Sequence, residues 1–293
     1  MTSMKTNQLI AITAAILSVY PIASALAQET TPPPATVTMP LWPTGKMPGH
    51  GAKEPEKMLP ARGDGATRIT NVSEPAISLY KTSKTQNATS AVILCPGGGY
   101  SILAMAPDLP AWLNSIGLTV VVLKYRVPNN NEGAYQDLQR AMRLVRHNAA
   151  NWNIASNHIG VMGISAGGHL CARLSANGDK ATYPKLDNID EEALRPDFAI
   201  LIVPAYLSQI PGHLSKNVQV NQNTPPTFIL HPEDDKPFIP GTKLYQAALE
   251  AAKVENEFFN PATGGHSCPL KSNAEIGQWP KKCQSWLIKE GIL

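Results

Sequence analysis

The sequence lacks several features that would place it in a specialised class. It has no run of Lys or Arg and a formal net charge of only +3 over 293 residues, so nucleic acid is not an expected partner. Beyond residue 27, no apolar stretch is long enough to cross a membrane. Four cysteines are too few for a disulfide framework. The composition, with 43% hydrophobic and 16% charged residues, is that of a globular protein with a full core, and one large domain is the simpler interpretation.

The first residues have the pattern of a targeting segment. Lys5 precedes an apolar stretch over 9–20, and Ala25-Leu26-Ala27 provides the small residues that a signal peptidase requires. The apolar stretch is too short for a comfortable membrane anchor, which is the alternative. We therefore predict a signal peptide over 1–27, cleaved after Ala27, and a secreted or periplasmic protein that is not attached to the membrane after cleavage.

The next segment, 28–60, is rich in Pro, Thr and Gly and has no periodicity, which predicts an extended N-terminal arm. Trp42 and Met47 are the residues that could hold part of this arm against the domain. Residues 61–293 then form the main domain.

Within that domain, short apolar runs alternate with helical patterns. This alternation predicts an α/β fold with a mostly parallel central sheet, helices on both faces and active residues at the carboxyl ends of the strands. The predicted strands are 76–80, 91–95, 119–123, 159–162, 198–203, 227–230 and 255–259, and the predicted helices are 107–116, 135–150, 167–176, 241–253 and 276–289. On the second helix, Arg140, Arg143 and Arg146 lie largely off the apolar stripe and indicate a solvated face or structural ion pairs.

The most informative motif is Gly-Ile-Ser-Ala-Gly at 163–167, between an apolar run and an alanine-rich helical pattern. A G-x-S-x-G turn pushes a serine hydroxyl out of the end of a strand in backbone geometry that flanking glycines accommodate. Ser165 is therefore the candidate nucleophile. Because a serine hydroxyl is a poor nucleophile at neutral pH, it needs a histidine base and a carboxylate that orients the histidine.

The order serine, acid, histidine is supplied by Ser165, Asp235 and His266. Asp235 follows an apolar run and a turn-rich segment, and it is preferred to its neighbour Asp234, which remains the alternative. His266 lies in a loop between the last predicted strand and the last helix. Several of the other histidines have structural explanations: His169 would pack locally, His231 ends a strand and His213 lies in a loop.

A second glycine-rich stretch, 95–100, follows an early strand. The amides of Gly98, Gly99 and Ala166 would form an oxyanion hole for the tetrahedral intermediate. No Lys-Ser or Lys-Thr pair follows the glycines, which argues against a phosphate site. Tyr100 is a candidate substrate contact. No residue set has metal-ligand spacing, so neither a metal nor another cofactor is expected.

The cysteines fall into two pairs. Cys95 and Cys171 have the positions of small buried hydrophobic residues. Cys268 and Cys283 could form a disulfide or remain two free thiols.

In combination, these motifs resemble the α/β-hydrolase superfamily, specifically its acetyl xylan esterase-like carbohydrate esterase branch, which is related to carboxylesterases of the hormone-sensitive lipase type. The resemblance runs from about Trp42 to the C-terminus. The stretches that carry it are 95–100, 123–126, 139–146, 163–170, 231–235 and 264–266. The sequence departs from the branch at Ile164, where a larger aromatic residue is usual, and at Ser267-Cys268.

The resemblance implies an α/β-hydrolase fold, a triad of Ser165, Asp235 and His266, no metal, and deacetylation of plant polysaccharide or related sugars such as acetylated xylan. The segment 205–226 leaves no room for a large lid. A serine peptidase of the prolyl oligopeptidase type is an alternative, but the sequence shows neither a propeller domain nor acidic residues that would hold a free amino terminus. A catalytically silent binding protein is a further alternative, although no triad member is missing. The sequence does not indicate the oligomeric state.

Overall fold

The computed structural model describes residues 35–84 and 87–293. The strands of this part of the chain are β1 Val37–Pro40, β2 Lys57–Met58, β3 Thr67–Thr70, β4 Ala76–Tyr80, β5 Thr89–Cys95, β6 Leu103–Met105, β7 Thr119–Lys124, β8 Ile154–Ile164, β9 Ala199–Ile202, β10 Thr227–Leu230 and β11 Asn256–Phe259. The α-helices are α1 Asp108–Ile116, α2 Asn131–His147, α3 Ala149–Trp152, α4 Ala166–Asn177, α5 Ile239–Ala251 and α6 Trp279–Lys289. The signal peptide predicted over 1–27 lies outside the described residues, as does the beginning of the predicted arm.

Eight of these strands form one sheet in the order β1-β4-β7-β5-β8-β9-β10-β11. The six strands from β7 to β11 in this order pair in parallel, whereas β4 and β1 are antiparallel at one edge. Every residue of β5, β9 and β10 is buried, which explains why these strands appear in the sequence as continuous apolar runs. The predicted α/β fold with a mostly parallel sheet is confirmed.

Helices cover both faces of this sheet. On one face, Leu138 of α2, Leu170 of α4 and Tyr245 of α5 belong to one apolar core. On the other face, Leu113 of α1 and Trp286 of α6 belong to a second core. The carboxyl ends of the parallel strands therefore meet at a single edge of the sheet, where the loops that follow them converge.

The segment predicted as an extended arm is largely part of the domain. Its strand β1 adds to the sheet edge, with Val37 opposite Leu79, and Leu41 and Trp42 are buried in the core. Farther on, β2 joins β3 and β6 in a separate three-stranded sheet. The pattern missed these strands because each is four residues or shorter, and β1 pairs with a strand that is distant in sequence.

Between β9 and β10, the chain forms only loops, turns and one short 3₁₀ helix, Lys216–Val218, so the predicted absence of a large lid is confirmed. All four cysteines are free thiols, so Cys268 and Cys283 do not form the disulfide that the sequence left open. Both instead pack with the apolar residues around α1 and α6. No helix in the described part of the chain has the length and apolarity to span a membrane.

Candidate active site

Ser165 lies in the turn between β8 and α4. Its backbone angles, φ 55° and ψ −116°, fall in a region that side-chain-bearing residues rarely adopt. The tight turn requires glycine at position 163, because a Cβ on Gly163 would lie only 2.1 Å from the carbonyl oxygen of Gly167. The Ser165 amide donates to the carbonyl of Ile202 at 3.0 Å, which ties the turn to the neighbouring strand. The strained serine turn predicted from the motif is therefore present.

The structure brings the three predicted triad residues together. The Oγ of Ser165 lies 2.7 Å from Nε2 of His266, and Nδ1 of His266 lies 2.6 Å from Oδ2 of Asp235. An ionised carboxylate only accepts hydrogen bonds, so Nδ1 carries the imidazole proton and Nε2 accepts from the serine hydroxyl. Asp235 is buried and His266 is exposed. The proton acceptor of the arrangement thus faces solvent while its orienting carboxylate does not.

The two adjacent aspartates have different partners. Asp234 is exposed and accepts from the backbone amides of Gly264 and Gly265 at 3.2 and 2.8 Å. These amide hydrogen bonds hold the pKa of Asp234 below its usual value. Asp234 therefore shapes the loop that carries His266, and Asp235 contacts the imidazole itself.

His231 is a site residue that sequence reasoning missed. It is fully buried, its Nε2 lies 2.8 Å from the same Oδ2 of Asp235, and its Nδ1 lies 2.8 Å from Oγ1 of Thr242. The available signal was a histidine directly after a buried strand and four residues before the acid. We interpreted it as a strand end because its partners become visible only in the folded chain.

His231, Asp235 and His266 are also residue types that bind metals, and their ligand atoms lie within 4.8 Å of one another. Their hydrogen bonds account for these atoms in another way. Both imidazoles donate to one carboxylate oxygen, and the remaining nitrogen of His266 pairs with the serine hydroxyl. The atoms that a metal would need are thus used in a chain of proton donors and acceptors.

The glycine-rich loop after β5 lies against the nucleophile, since a Cβ on Gly97 would be 3.3 Å from the Cβ of Ser165. Gly98 and Gly99 both have positive φ, and a Cβ on Gly98 would lie 2.1 Å from the carbonyl oxygen of Ile102. Within the described residues, the amides of Gly98, Gly99 and Ala166 donate to no protein acceptor. They are therefore available to a substrate oxygen.

Tyr100 does not face the site as a substrate contact would. Its side chain is buried, and its hydroxyl lies 2.7 Å from Nδ1 of His169. Burial lowers the pKa of His169 to about 4, which keeps that imidazole neutral. Tyr100 and His169 therefore form a buried polar contact beneath the glycine loop, and the prediction that Tyr100 contacts substrate is not supported.

Two other aromatic residues border the site. Tyr206 stacks on Tyr100 with ring centres 6.3 Å apart, and its hydroxyl lies 3.5 Å from where a Cβ on Gly99 would be. Phe238 lies 5.6 Å from Tyr206 and 5.0 Å from His266, measured between ring centres. Because both are only partly buried, they form an accessible aromatic edge between the glycine loop and the histidine.

An apolar cavity of about 380 Å³ lies beside the site. Its walls include Pro96 and Ile164, which immediately precede Gly97 and Ser165 in the chain, together with Leu94, Met105 and residues of α1 and the small sheet. Ile164, one of the two departures from the expected motif, therefore lines an apolar space and directly precedes the nucleophile in sequence.

The fold and this site place the chain among known proteins. A family model described as BD-FAE matches residues 77–203. The chain is 28% identical over 205 residues to an acetylxylan esterase of Xylanibacter ruminicola. This match covers 60% of this chain and 40% of the relative. The chain is 27% identical over 218 residues to endo-1,4-beta-xylanase B of Butyrivibrio fibrisolvens, with coverage of 64% and 34%. The chain thus spans only about two fifths and one third of these curated relatives.

Solved structures cover more of the chain. The acetyl ester-xyloside bifunctional hydrolase of Caldicellulosiruptor lactoaceticus superposes with a TM-score of 0.73 at 28% identity, covering 89% of this chain and 98% of that one. MGS-M1, an α/β hydrolase from a deep-sea metagenome library, superposes with a TM-score of 0.60 at 22% identity, with coverage of 82% and 98%. The chain therefore has the α/β-hydrolase fold. The predicted resemblance to acetyl xylan esterase-like members of the α/β-hydrolase superfamily is confirmed.

Proposed function

We propose that this α/β hydrolase is a carboxylic ester hydrolase that removes acetyl or other small acyl groups from polysaccharide or sugar esters, such as acetylated xylan. The observation that carries the proposal is the hydrogen-bonded sequence from Ser165 through His266 to Asp235. The chain is similar to an acetylxylan esterase and to an acetyl ester-xyloside hydrolase, and these names support an acyl ester of a sugar as the substrate.

In the proposed reaction, Oγ of Ser165 attacks the acyl carbonyl carbon while its proton passes to Nε2 of His266. The carbonyl oxygen becomes negative and accepts hydrogen bonds from the amides of Gly98, Gly99 and Ala166. The tetrahedral intermediate then collapses: the bond to the sugar oxygen breaks, and His266 returns the proton to that oxygen. The products of this half-reaction are the free sugar hydroxyl and an acyl-serine.

The second half-reaction repeats the proton transfers with water. His266 takes a proton from water as its oxygen attacks the acyl carbon, and the same proton returns to Oγ of Ser165 as the carboxylic acid leaves. Asp235 keeps the imidazole oriented and stabilises its transient positive charge. An open site without a large lid gives a bulky sugar polymer access to the exposed His266.

The test is a substrate screen with the purified protein. Acetylated xylan, acetylated monosaccharides, nitrophenyl esters of increasing chain length and aminoacyl amides are compared, and released acid is measured. We expect release from acetylated sugars and short nitrophenyl esters, and covalent labelling of Ser165 by a fluorophosphonate. Preferential cleavage of aminoacyl amides would favour a peptidase, and no turnover with any of them would favour a silent binding protein.

We further propose that the protein is exported by its predicted signal peptide. The support is the sequence pattern of Lys5, the apolar stretch and Ala25-Leu26-Ala27. N-terminal sequencing of the protein recovered from the native host should begin at Gln28. A mature protein that begins at Met1 would contradict this proposal.

A further inference from the structure

His231 is held in a fixed place by its own backbone. It directly follows β10, its amide donates to the carbonyl of Phe259 at 3.1 Å, and its carbonyl accepts from Nδ2 of Asn260 at 2.6 Å. Its side chain is fully buried. The imidazole therefore cannot leave the interior without disrupting the strand end.

The hydrogen bonds of this imidazole determine where its proton lies. The ionised carboxylate of Asp235 has no proton to give, so Nε2 of His231 donates to Oδ2 across 2.8 Å. Burial lowers the pKa of His231, which keeps the ring neutral and leaves Nδ1 as an acceptor. The hydroxyl of Thr242, 2.8 Å from Nδ1, must then be the donor.

These contacts extend the triad to a chain of five groups in which every donor and acceptor is determined. Thr242 donates to His231, His231 donates to Asp235, His266 donates to the same carboxylate, and Ser165 donates to His266. Both imidazoles contact the single oxygen Oδ2. Rotation of the carboxylate that weakened its contact with His266 would therefore also break a buried hydrogen bond to His231, which has no solvent to replace it.

We propose that His231 is a positioning residue of the active site: supported by Thr242, it holds Oδ2 of Asp235 where it fixes the orientation and proton position of His266. This role rests on the proposed ester hydrolysis, since it acts through the base of that reaction. The titratable groups facing His231 are Asp235, His266 and Glu233, and Glu233 is partly exposed and paired with Lys243.

The first test compares His231→Leu with His231→Gln. Gln places an amide donor near the position of Nε2, whereas Leu fills space without a donor. With nitrophenyl acetate, we expect His231→Leu to lower kcat by ~10- to 100-fold with little change in KM, because a misplaced base slows the chemistry rather than binding. His231→Gln should recover a large part of that loss. The acidic limb of the kcat/KM profile should move in the Leu variant.

The second test removes only the supporting hydroxyl. Thr242→Val should lower kcat and move the same acidic limb in the same direction, although Val occupies the space of Thr. Thr227→Val is the matched control, because Thr227 is equally buried and its hydroxyl donates to the carbonyl of Pro225, outside the chain of five groups. The control should leave both kcat and the pH profile unchanged. If His231→Leu does not fold, the proposal is tested by Thr242→Val and Thr227→Val alone. The first variant should lower kcat and move the acidic limb, and the second should change neither.

A third measurement needs no substrate. Proton NMR of the wild-type protein should show low-field signals from two imidazole N–H groups, those of His266 and His231. His231→Gln should remove one signal and displace the other, because both protons share one acceptor oxygen.

The proposal is overturned if Leu and Gln at position 231 have equal effects, if kcat and the pH profile survive Thr242→Val, or if the His266 signal is unaffected by His231→Gln. A wild-type protein that hydrolyses no ester would instead refute the proposed function. The NMR measurement would still determine whether the two imidazoles are coupled through Asp235.

Discussion

Two polar networks in this protein are both largely buried, but they are built from different groups. The guanidinium of Arg126 donates to the carboxylate of Asp137, which also accepts from the indole of Trp42 at 2.8 Å. On α2, the helix that carries Asp137, Arg140 donates to Asp187 and Asp190. Every acid in this arginine network faces a guanidinium that stays charged at any physiological pH, so no proton has an alternative place to go.

The active-site network contains one carboxylate, two imidazoles and two hydroxyls, and no guanidinium. Its protons have alternative positions, and one member, His266, is exposed to solvent. The difference shows what separates a structural polar cluster from a reactive one: movable protons and one solvent-accessible member, rather than burial or the number of hydrogen bonds. Mutations should therefore change catalysis in one network and stability in the other.

The largest expected effect is that of Ser165→Ala. Removing the nucleophile should lower kcat/KM for nitrophenyl acetate by ~10⁴-fold or more, as in other serine triads. The unfolding midpoint in urea should remain near that of the wild type, because the variant loses one partly exposed hydroxyl. A variant that retained more than about a hundredth of the activity would show that Ser165 is not the nucleophile.

The second largest effect is expected from substitution of one of the two adjacent aspartates. Asp235→Asn should cost ~10⁴-fold in kcat, because an amide in place of the carboxylate favours the wrong imidazole tautomer. Asp234→Asn should cost much less, since an amide oxygen can still accept from the amides of Gly264 and Gly265. If the two variants exchanged ranks, the assignment between the neighbours would be wrong, while the triad of serine, acid and histidine would survive.

The arginine network should respond to a matched change in the opposite way. Asp137→Asn leaves the buried guanidinium of Arg126 without its counter-charge and should lower the free energy of unfolding by ~3–5 kcal/mol. Activity per folded molecule should stay near the wild-type value, because Asp137 contacts no residue of the active-site network. The measurement is urea denaturation combined with esterase assays well below the melting temperature.

The control for this change is Glu191→Gln, which breaks an exposed ion pair with Lys185 and should leave the unfolding midpoint unchanged. A loss of activity in Asp137→Asn without a loss of stability would contradict the division between the two networks.

The parts of the molecule that could be predicted from sequence are those with a local pattern. The strand β10 matches its predicted range because a buried parallel strand is a continuous apolar run between turn residues. The antiparallel strand β4 also matches, and its residues alternate between buried and partly buried. The serine turn and the order of its partners could be predicted because a strained turn demands glycines. Strands such as β1 could not, since four residues with alternating burial gain their stability from a partner about 40 residues away.

Side-chain roles were harder to predict wherever they depended on distant partners. Helical spacing showed that Arg140 lies off the apolar stripe, and ion pairs were one of two interpretations. It could not show that Asp187 and Asp190 would enclose the guanidinium, leaving only 1% of the residue exposed. Tyr100 and His231 are similar cases, because a tyrosine after a glycine loop and a histidine after a strand have the same local pattern whether they face substrate or interior.

The smallest expected effect concerns acyl length and the cavity beside Ile164. Wild-type protein should prefer nitrophenyl acetate to the octanoate, because the short connection in place of a lid leaves little apolar surface for a long acyl chain, and Ile164, directly before Ser165, forms part of the wall of the apolar cavity. Ile164→Ala should narrow that preference, since each methylene entering the cavity contributes ~0.8 kcal/mol, or about fourfold in kcat/KM. Met58→Ala, at an exposed part of the same wall, should leave the preference unchanged. A wild-type rate that already rises with chain length would mean that the cavity opens directly to Ser165 and that the enzyme resembles a lipase in its acyl specificity.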